Sequence, residues 1–371
     1  MECTIGGTRR HLVDVAREQA RIGLEVHVVA STLRAPDFER DLAALEAAGV
    51  SVARLPMVRS ISPCTDLAHL GFLRRQLESV QPDIVHTHSS KAGVLGRLAS
   101  MQTSIGARVH TPHTFSFLFE AEFSAPKRKL FCEIERGLAG LTQALIAVSP
   151  SEGRTFVASG VVEAARVRVV PNGIDPEPWR AARPVSRAEL GVRADAPLAV
   201  VVGLFNIAKG QDLALDALRE RGLERLQLVF AGHGELEAPL KERARRLGLE
   251  NRARFLGFRT DVPALIAAAD FVLVPSRWEG MPYVVIEALA SSRAVVATPV
   301  DGARDLVVHG EIGFLARSID AAALAEALRA MLALEPAQRA AFGAAGRARV
   351  IDGFTVGAMV QGLVSVYREV A

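Results

Sequence analysis

Short apolar runs alternate with amphipathic stretches along most of this 371-residue chain, and that rhythm constrains the fold more than any other feature. In the first half the runs are EVHVVAS (25–31), VARL (52–55), DIVHTH (83–88), ARVHT (107–111), ALIAVS (144–149) and RVRVV (166–170). Helical periodicity fills most of the gaps, so the reading is βαβ units whose parallel sheets are covered by helices on both faces. The rhythm stops at PNGIDPEPWRAARPVSRAELGVRADAP (171–197), which is rich in proline and turn residues and reads as a linker. It restarts with LAVVVG, LQLVFAG, ARFLG, FVLVPS and AVVAT, a second doubly wound unit. The expected division is an α/β domain over 1–174, a second over 175–352, and a C-terminal amphipathic helix within 353–371 that packs back toward the first. Two such units facing each other leave a cleft at the carboxyl ends of their strands, where open α/β sheets bind ligands.

Charge and cysteine usage exclude several classes. The net charge is +3, with 20 Lys+Arg against 17 Asp+Glu through Val170 and 24 against 24 beyond it, too small an excess for a nucleic-acid footprint. Cys3, Cys64 and Cys132 are odd in number and widely spaced, the pattern of reduced thiols rather than of a disulfide or metal framework. No apolar run reaches the roughly 18 residues of a membrane span, and the start has no basic-then-apolar signal pattern. The expectation is a cytoplasmic protein, at most peripheral at the inner face of the membrane. Gly6 and Gly7 read as the turn from a first strand into the helix containing HLVDVAREQA, yet only five residues precede them. A natural start upstream of Met1 is therefore expected, with the first strand largely missing.

The segment WEGMPYVVIEALA follows the apolar run FVLVPS and carries the most specific chemistry. Gly280 and Pro282 force a tight loop, and VVIEALA then reads as a helix whose free amides form an anion site. Glu279 on the loop and Glu287 within the helix can each accept hydrogen bonds from vicinal hydroxyls, as sugar or ribose recognition requires. Lys209 follows LAVVVG where a helix is about to begin, and is one of five lysines in an arginine-dominated chain. His86 and His88 alternate along DIVHTH and share a sheet face, but no third ligand has suitable spacing and no Asp-x-Asp pair occurs, so no metal is expected. His113 follows ARVHT at a cleft edge. Asn172 and Gly173 make the turn entering the linker. The run SAPKRKLFCEIERGLAG, with Lys127 before Leu130, Phe131, Ile134 and Leu138, reads either as a core-facing helix with a solvated basic end or as a membrane-surface helix.

These segments, with GGTRRHL, HTHSSKAGVLGRLA, HTPHTFSF, IAVSPSE, VVPNGID, KGQDLALDAL, FAGHGELE, RFLGFRTDV and VVATPVDGARDLVVHGEIGFL, stand in an order that resembles retaining GT-B glycosyltransferases of family four. The likeness spans nearly the whole chain and implies the GT-B fold, two Rossmann-like domains around a cleft. It implies that Glu279 contacts the donor sugar, Glu287 the ribose, and the backbone of Gly280, Met281 and Pro282 the sugar and phosphate. Lys209 would then stabilise the donor diphosphate, and His113 would stand near the reacting sugar. Gly203, Gly6 and Gly7 would line the donor. The co-substrate implied is a nucleoside-diphosphate sugar, without metal or other cofactor, and the acceptor a glycan or a lipid-linked one. In one place the chain departs from the pattern. The family's Gly-Arg-Leu is Gly203, Leu204 and Phe205 here, so a phosphate-binding arginine is absent, with Arg10, Arg277 and Arg304 as replacement candidates. A degenerate, non-catalytic binding protein and a nucleotide-sugar epimerase are the alternatives. An oxidoreductase is disfavoured because the first glycine turn lacks GxGxxG spacing.

Overall fold

The computed structural model describes residues 6–58, 60–120 and 122–371. The expectation of a truncated first strand falls on residues 1–5, outside them. The chain forms two compact units, Met1–Asn172 with Val356–Ala371, and Gly173–Thr355.

Among the described residues the first unit holds six parallel strands, each at one of the apolar runs. Strands β1 (His27–Ala30) and β2 (Ser51–Arg54) pair with each other, and β3 (Ile84–His88), β4 (Ala107–Thr111), β5 (Ala144–Ala147) and β6 (Val167–Val169) form a sheet in that order. β5 is buried along its whole length, as expected of a central parallel strand covered on both faces. The C-terminal helix Val356–Val370 lays Met359, Val360, Leu363 and Val366 on Val15 of the helix Gly7–Arg21 and on Val109 and Ile146 of the sheet. That burial explains its amphipathic sequence. In the helix Ala125–Ala139, Leu138 is buried and Phe131 packs on the core, whereas Leu130 is exposed. Most of the apolar face of this helix is therefore core-facing.

The second unit is one six-stranded parallel sheet. Its strands are β7 (Leu198–Val202), β8 (Gln227–Ala231), β9 (Ala253–Phe255), β10 (Phe271–Val274), β11 (Ala294–Ala297) and β12 (Gly313–Leu315), in the order β12-β11-β10-β7-β8-β9. Chain order reverses at the β7/β10 pair. Such a switch point opens a crevice at the strand carboxyl ends, because the connections leaving the two strands run to opposite faces.

Two features differ from the sequence reading. Residues 171–197 are not a free linker: Trp179, Leu190 and Val192 are buried, and Arg187 pairs with Asp270, whose Oδ2 also accepts the Leu198 amide at 2.7 Å. Three buried apolar side chains without periodicity, together with the Arg187–Asp270 pair, hold this segment on the second unit. Strand β12 was not among the expected strands, being three residues long and having no apolar run of its own.

Candidate active site

Lys209 and Glu279 leave the two strands of the switch point. After β7 the chain turns at Gly203 and enters a 3-10 turn, Ile207–Lys209, in which Asn206 Oδ1 accepts the Lys209 amide at 3.2 Å. After β10 comes the loop carrying Glu279. The Lys209 ammonium donates to Glu279 Oε1, and Ser276 Oγ donates to the same oxygen at 2.9 Å. Both charged side chains are part-buried, so their attraction is screened less than that of a surface pair.

The two loops are fastened together. Arg277 makes a bidentate pair with Asp212 at 2.8 and 2.5 Å and donates to the carbonyl of Ile207 at 2.9 Å, while its amide donates to Ala208 O at 2.7 Å. Burial works to raise the Asp212 carboxyl, but the hydrogen bonds and charge of Arg277 hold it below the usual range. Gly210, at φ 63°, lets the backbones meet: a Cβ there would stand 2.0 Å from Pro275 O. Gly302, at φ 67°, does the same on the far side, where a Cβ would lie 2.3 Å from Gly280 O. Thr298 Oγ1 donates to Ser276 O at 2.5 Å from a fully buried position, tying the loop to the end of β11. Replacing Thr298 with valine leaves the Ser276 carbonyl without this donor and is expected to cost about 1–2 kcal/mol, read as a lowered urea midpoint with unchanged m-value.

Pro282 sits at the N-cap of the helix Tyr283–Ala290, Met281 is buried, and Glu287 lies within the helix, also buried. Leu204 is half-buried and uses its carbonyl to accept Gln211 Nε2 at 2.9 Å. Of the arginines that could replace the missing one, Arg277 is held by Asp212. Arg304 is exposed and donates to the carbonyl of Pro299, and Arg10 pairs with Asp14 at 3.3 Å in the first unit.

The first unit gathers a histidine cluster at the carboxyl ends of β3 and β4. His88 ends β3, and its Nδ1 lies 3.2 Å from Nε2 of His113, just after β4. Three non-glycine residues here have positive φ: Ser89 at 64°, His113 at 54° and Thr114 at 76°. Each such conformation costs on the order of 1–3 kcal/mol, so the surrounding structure must hold it. Thr114 Oγ1 donates to Glu152 at 3.2 Å, and the other oxygen of Glu152 accepts the Val148 amide at 2.7 Å. His11, from the helix that begins at Gly7, stands with its ring 4.8 Å from that of His113. Its Nδ1 donates to Asn172 Oδ1 at 2.9 Å. Gly6, at φ 106°, and Gly7 are exposed at the start of the same helix.

His86 lies beside His88, tilted by 35° with 4.2 Å between ring centroids, and bonds Tyr367 Oη at 2.6 Å and Thr111 Oγ1 at 2.8 Å. Gln19 Nε2 donates to the same phenol oxygen, so the phenol proton points to His86 Nδ1 and His86 carries its own on Nε2. Burial pushes His11 down to about 4, against the opposing bond to Asn172, and His86 down to about 3. Burial also carries His88, His110 and His113 well below the ordinary imidazole range. All five are neutral at pH 7.

Of the residues singled out from sequence, the structure places Lys209 beside Glu279 in the second unit and His113 beside His88 in the first, with other groups holding them. Ser276, Thr298, Asp212 and His11 carry no local signal except that His11 lies four residues beyond Gly7, one helical turn on, and Arg277 stood out only as a replacement for the absent arginine.

Residues 5–178 match the model of Glycosyltransferase Family 4, and residues 182–349 that of Glycosyl transferases group 1. A D-inositol 3-phosphate glycosyltransferase of Kineococcus radiotolerans is 31% identical over 98% of this chain and 90% of its own. The chain belongs to the family-4 glycosyltransferases. An Escherichia coli UDP-Gal:alpha-D-GlcNAc-diphosphoundecaprenol alpha-1,3-galactosyltransferase is 29% identical to this transferase over 70% of the chain and 68% of its own. Among solved structures, Anabaena HepE in complex with UDP and glucose superposes with a TM-score of 0.82 at 24% identity, covering 99% of this chain and 97% of that one. The fold is GT-B, with two Rossmann-like halves.

Proposed function

We propose that this glycosyltransferase moves a sugar from a nucleoside-diphosphate donor to an acceptor hydroxyl with retention of configuration, using Lys209, Glu279 and His113. The observation that carries the reading is the pairing of Lys209 with Glu279 at the β7/β10 switch point. A diphosphate arriving there competes with Glu279 for the ammonium. Once Lys209 turns to the phosphates, Ser276 still holds the Glu279 carboxylate, leaving its other oxygen to accept a sugar hydroxyl. Lys209 then meets the charge that grows on the leaving diphosphate, which is electrostatic stabilisation of the transition state and needs no metal. The leaving diphosphate takes the acceptor proton on the same face, and Glu287 holds the ribose. Gly203, Gly280, Met281 and Pro282 supply the backbone around the donor, with Gly6 and Gly7 beside its phosphates. Arg304 takes the part of the absent arginine. HepE is crystallised with UDP and glucose, and the galactosyltransferase of Escherichia coli has a diphosphoundecaprenol-linked acceptor in its name; both support a nucleotide-sugar donor and a glycan or lipid-linked acceptor, in exopolysaccharide, capsule or lipid-linked glycan synthesis.

No helix of the described residues is long and apolar enough to cross a membrane. A lipid-linked acceptor would be met from the cytoplasmic face by the helix Ala125–Ala139, where Leu130 is exposed and Lys127 lies 4.6 Å over the Phe123 ring. The test is nucleoside diphosphate release from a panel of nucleotide sugars with a membrane extract. Release from one donor, stimulated by extract and lost in Glu279→Ala, is expected. No release from any donor by folded protein would favour a non-catalytic binding protein, with Leu204 the first position to revert.

A further inference from the structure

His11, His88 and His113 come from three elements far apart in sequence, yet one ring nitrogen of each lies within 4.8 Å of the others. The separation of 3.2 Å between His88 Nδ1 and His113 Nε2 matches the edge of a metal tetrahedron with Zn–N bonds of about 2.0–2.1 Å, which is about 3.3 Å. The remaining pairs must close by about 1.5 Å at most to reach the same edge. His11 supplies the second, independent observation. Its Nδ1 proton goes to Asn172 Oδ1, so Nε2 is a bare lone pair, and that atom is buried without a hydrogen-bond partner. An imidazole whose far nitrogen donates to a carbonyl is the arrangement that fixes the tautomer of a metal ligand.

We infer that His11, His88 and His113 form a binding site for one borderline transition ion of the Zn²⁺ type, whose occupancy withdraws His113 from sugar transfer. Three neutral imidazoles suit Zn²⁺, Ni²⁺ or Cu²⁺, while Mg²⁺ and Ca²⁺ require oxygen ligands that this cluster does not offer. The ion replaces the single proton between His88 and His113, and the ring that donated it shifts its proton to its other nitrogen, so both bind neutral. His113 is only half-buried, which leaves an open side where water completes the coordination. The ion is an inhibitor here, not a cofactor. That half of the inference rests on the reading of His113 as a donor-facing group; the binding half does not.

The test is calorimetric titration of chelator-treated full-length protein with ZnCl₂ at pH 7, with Co²⁺ as a spectroscopic stand-in for coordination geometry. One Zn²⁺ per chain is expected, with affinity at least a hundredfold lower in His88→Asn and His113→Asn, and lower by about tenfold or more in Asn172→Ala, which removes only the orienting group. MgCl₂ should produce no heat. Thermal melting without metal checks that each variant folds; should His88→Asn not fold, His113→Asn at its half-exposed position carries the comparison. Substoichiometric binding, or Zn²⁺ affinity that survives both His→Asn changes, would overturn the site. Stoichiometric binding that leaves transfer untouched, and that EDTA does not affect, would overturn the inhibitory half and the placing of His113 while retaining the ion site.

Discussion

Replacing Lys209 with alanine is expected to lower kcat for sugar transfer by about 10²–10³, the loss typical when one preorganised donor to a developing oxyanion is removed. The size follows from position. The side chain stands on the turn after β7 with its methylenes beside Gly203, and the backbone of that turn is fastened through Asn206 and the Arg277–Asp212 clasp, so the proposed diphosphate partner is carried on a fixed loop. Because that charge is greater in the transition state than in the bound donor, kcat should fall more than KM rises. The fold should tolerate the change: Glu279 keeps Ser276 as a partner and retains partial solvent access. The measurement is steady-state release of nucleoside diphosphate from the donor identified in the panel, with circular dichroism as the folding control. Turnover within fivefold of the unmodified protein would remove Lys209 from the chemistry.

What the amino-acid order disclosed, and what it concealed, follows from the range of the interactions involved. Strands such as β7 and β10 are legible because a parallel strand covered on both faces is apolar throughout, and the short, valine-rich LAVVVG and FVLVPS fit that better than a buried helix. Lys209 and Glu279 could be named because each sits next to such a strand, within a motif whose neighbours are fixed. Their clasp could not: Arg277 and Asp212 are 65 residues apart, and only the reversal of strand order at β7/β10 brings them together. The histidine cluster shows the same limit more sharply. His86 and His88 announce themselves by alternation, and sequence spacing denied them a third partner. The fold supplies His113 from just after the next strand and His11 from a helix, 77 residues before His88, neither of which any local pattern relates to DIVHTH. The segment 171–197 was misread for the opposite reason. Its prolines are real breakers, but Trp179, Leu190 and Val192 are anchors whose burial depends on the surface they meet rather than on their own periodicity.

Removing the carboxylate of Glu135 should produce the largest loss of stability in the first unit, about 3–5 kcal/mol. Arg97 is fully buried in the helix Ser90–Thr103; its Nη2 donates to Glu135 Oε2 at 2.7 Å and its Nε to Gly93 O at 2.9 Å, while Nη1 finds no hydrogen-bond partner among the described residues. Glu135→Ala leaves that guanidinium charged, dry and facing a neutral His110 whose imidazole it already holds down, after burial, by its charge. The penalty is the solvation the cation lost on folding, no longer offset by its counter-ion, and it is a large share of the roughly 5–15 kcal/mol that holds a domain together. Removing both charges should cost far less than removing one, since Arg97→Met with Glu135→Leu fills the same volume with apolar groups. A urea double-mutant cycle separates the two cases: strong destabilisation by Glu135→Ala and recovery to within about 1–2 kcal/mol of the parent in the double variant is the expected pattern. If the single change cost less than about 1 kcal/mol, water must reach Arg97 when the carboxylate is gone, and the pair would be an exposed one in energetic terms.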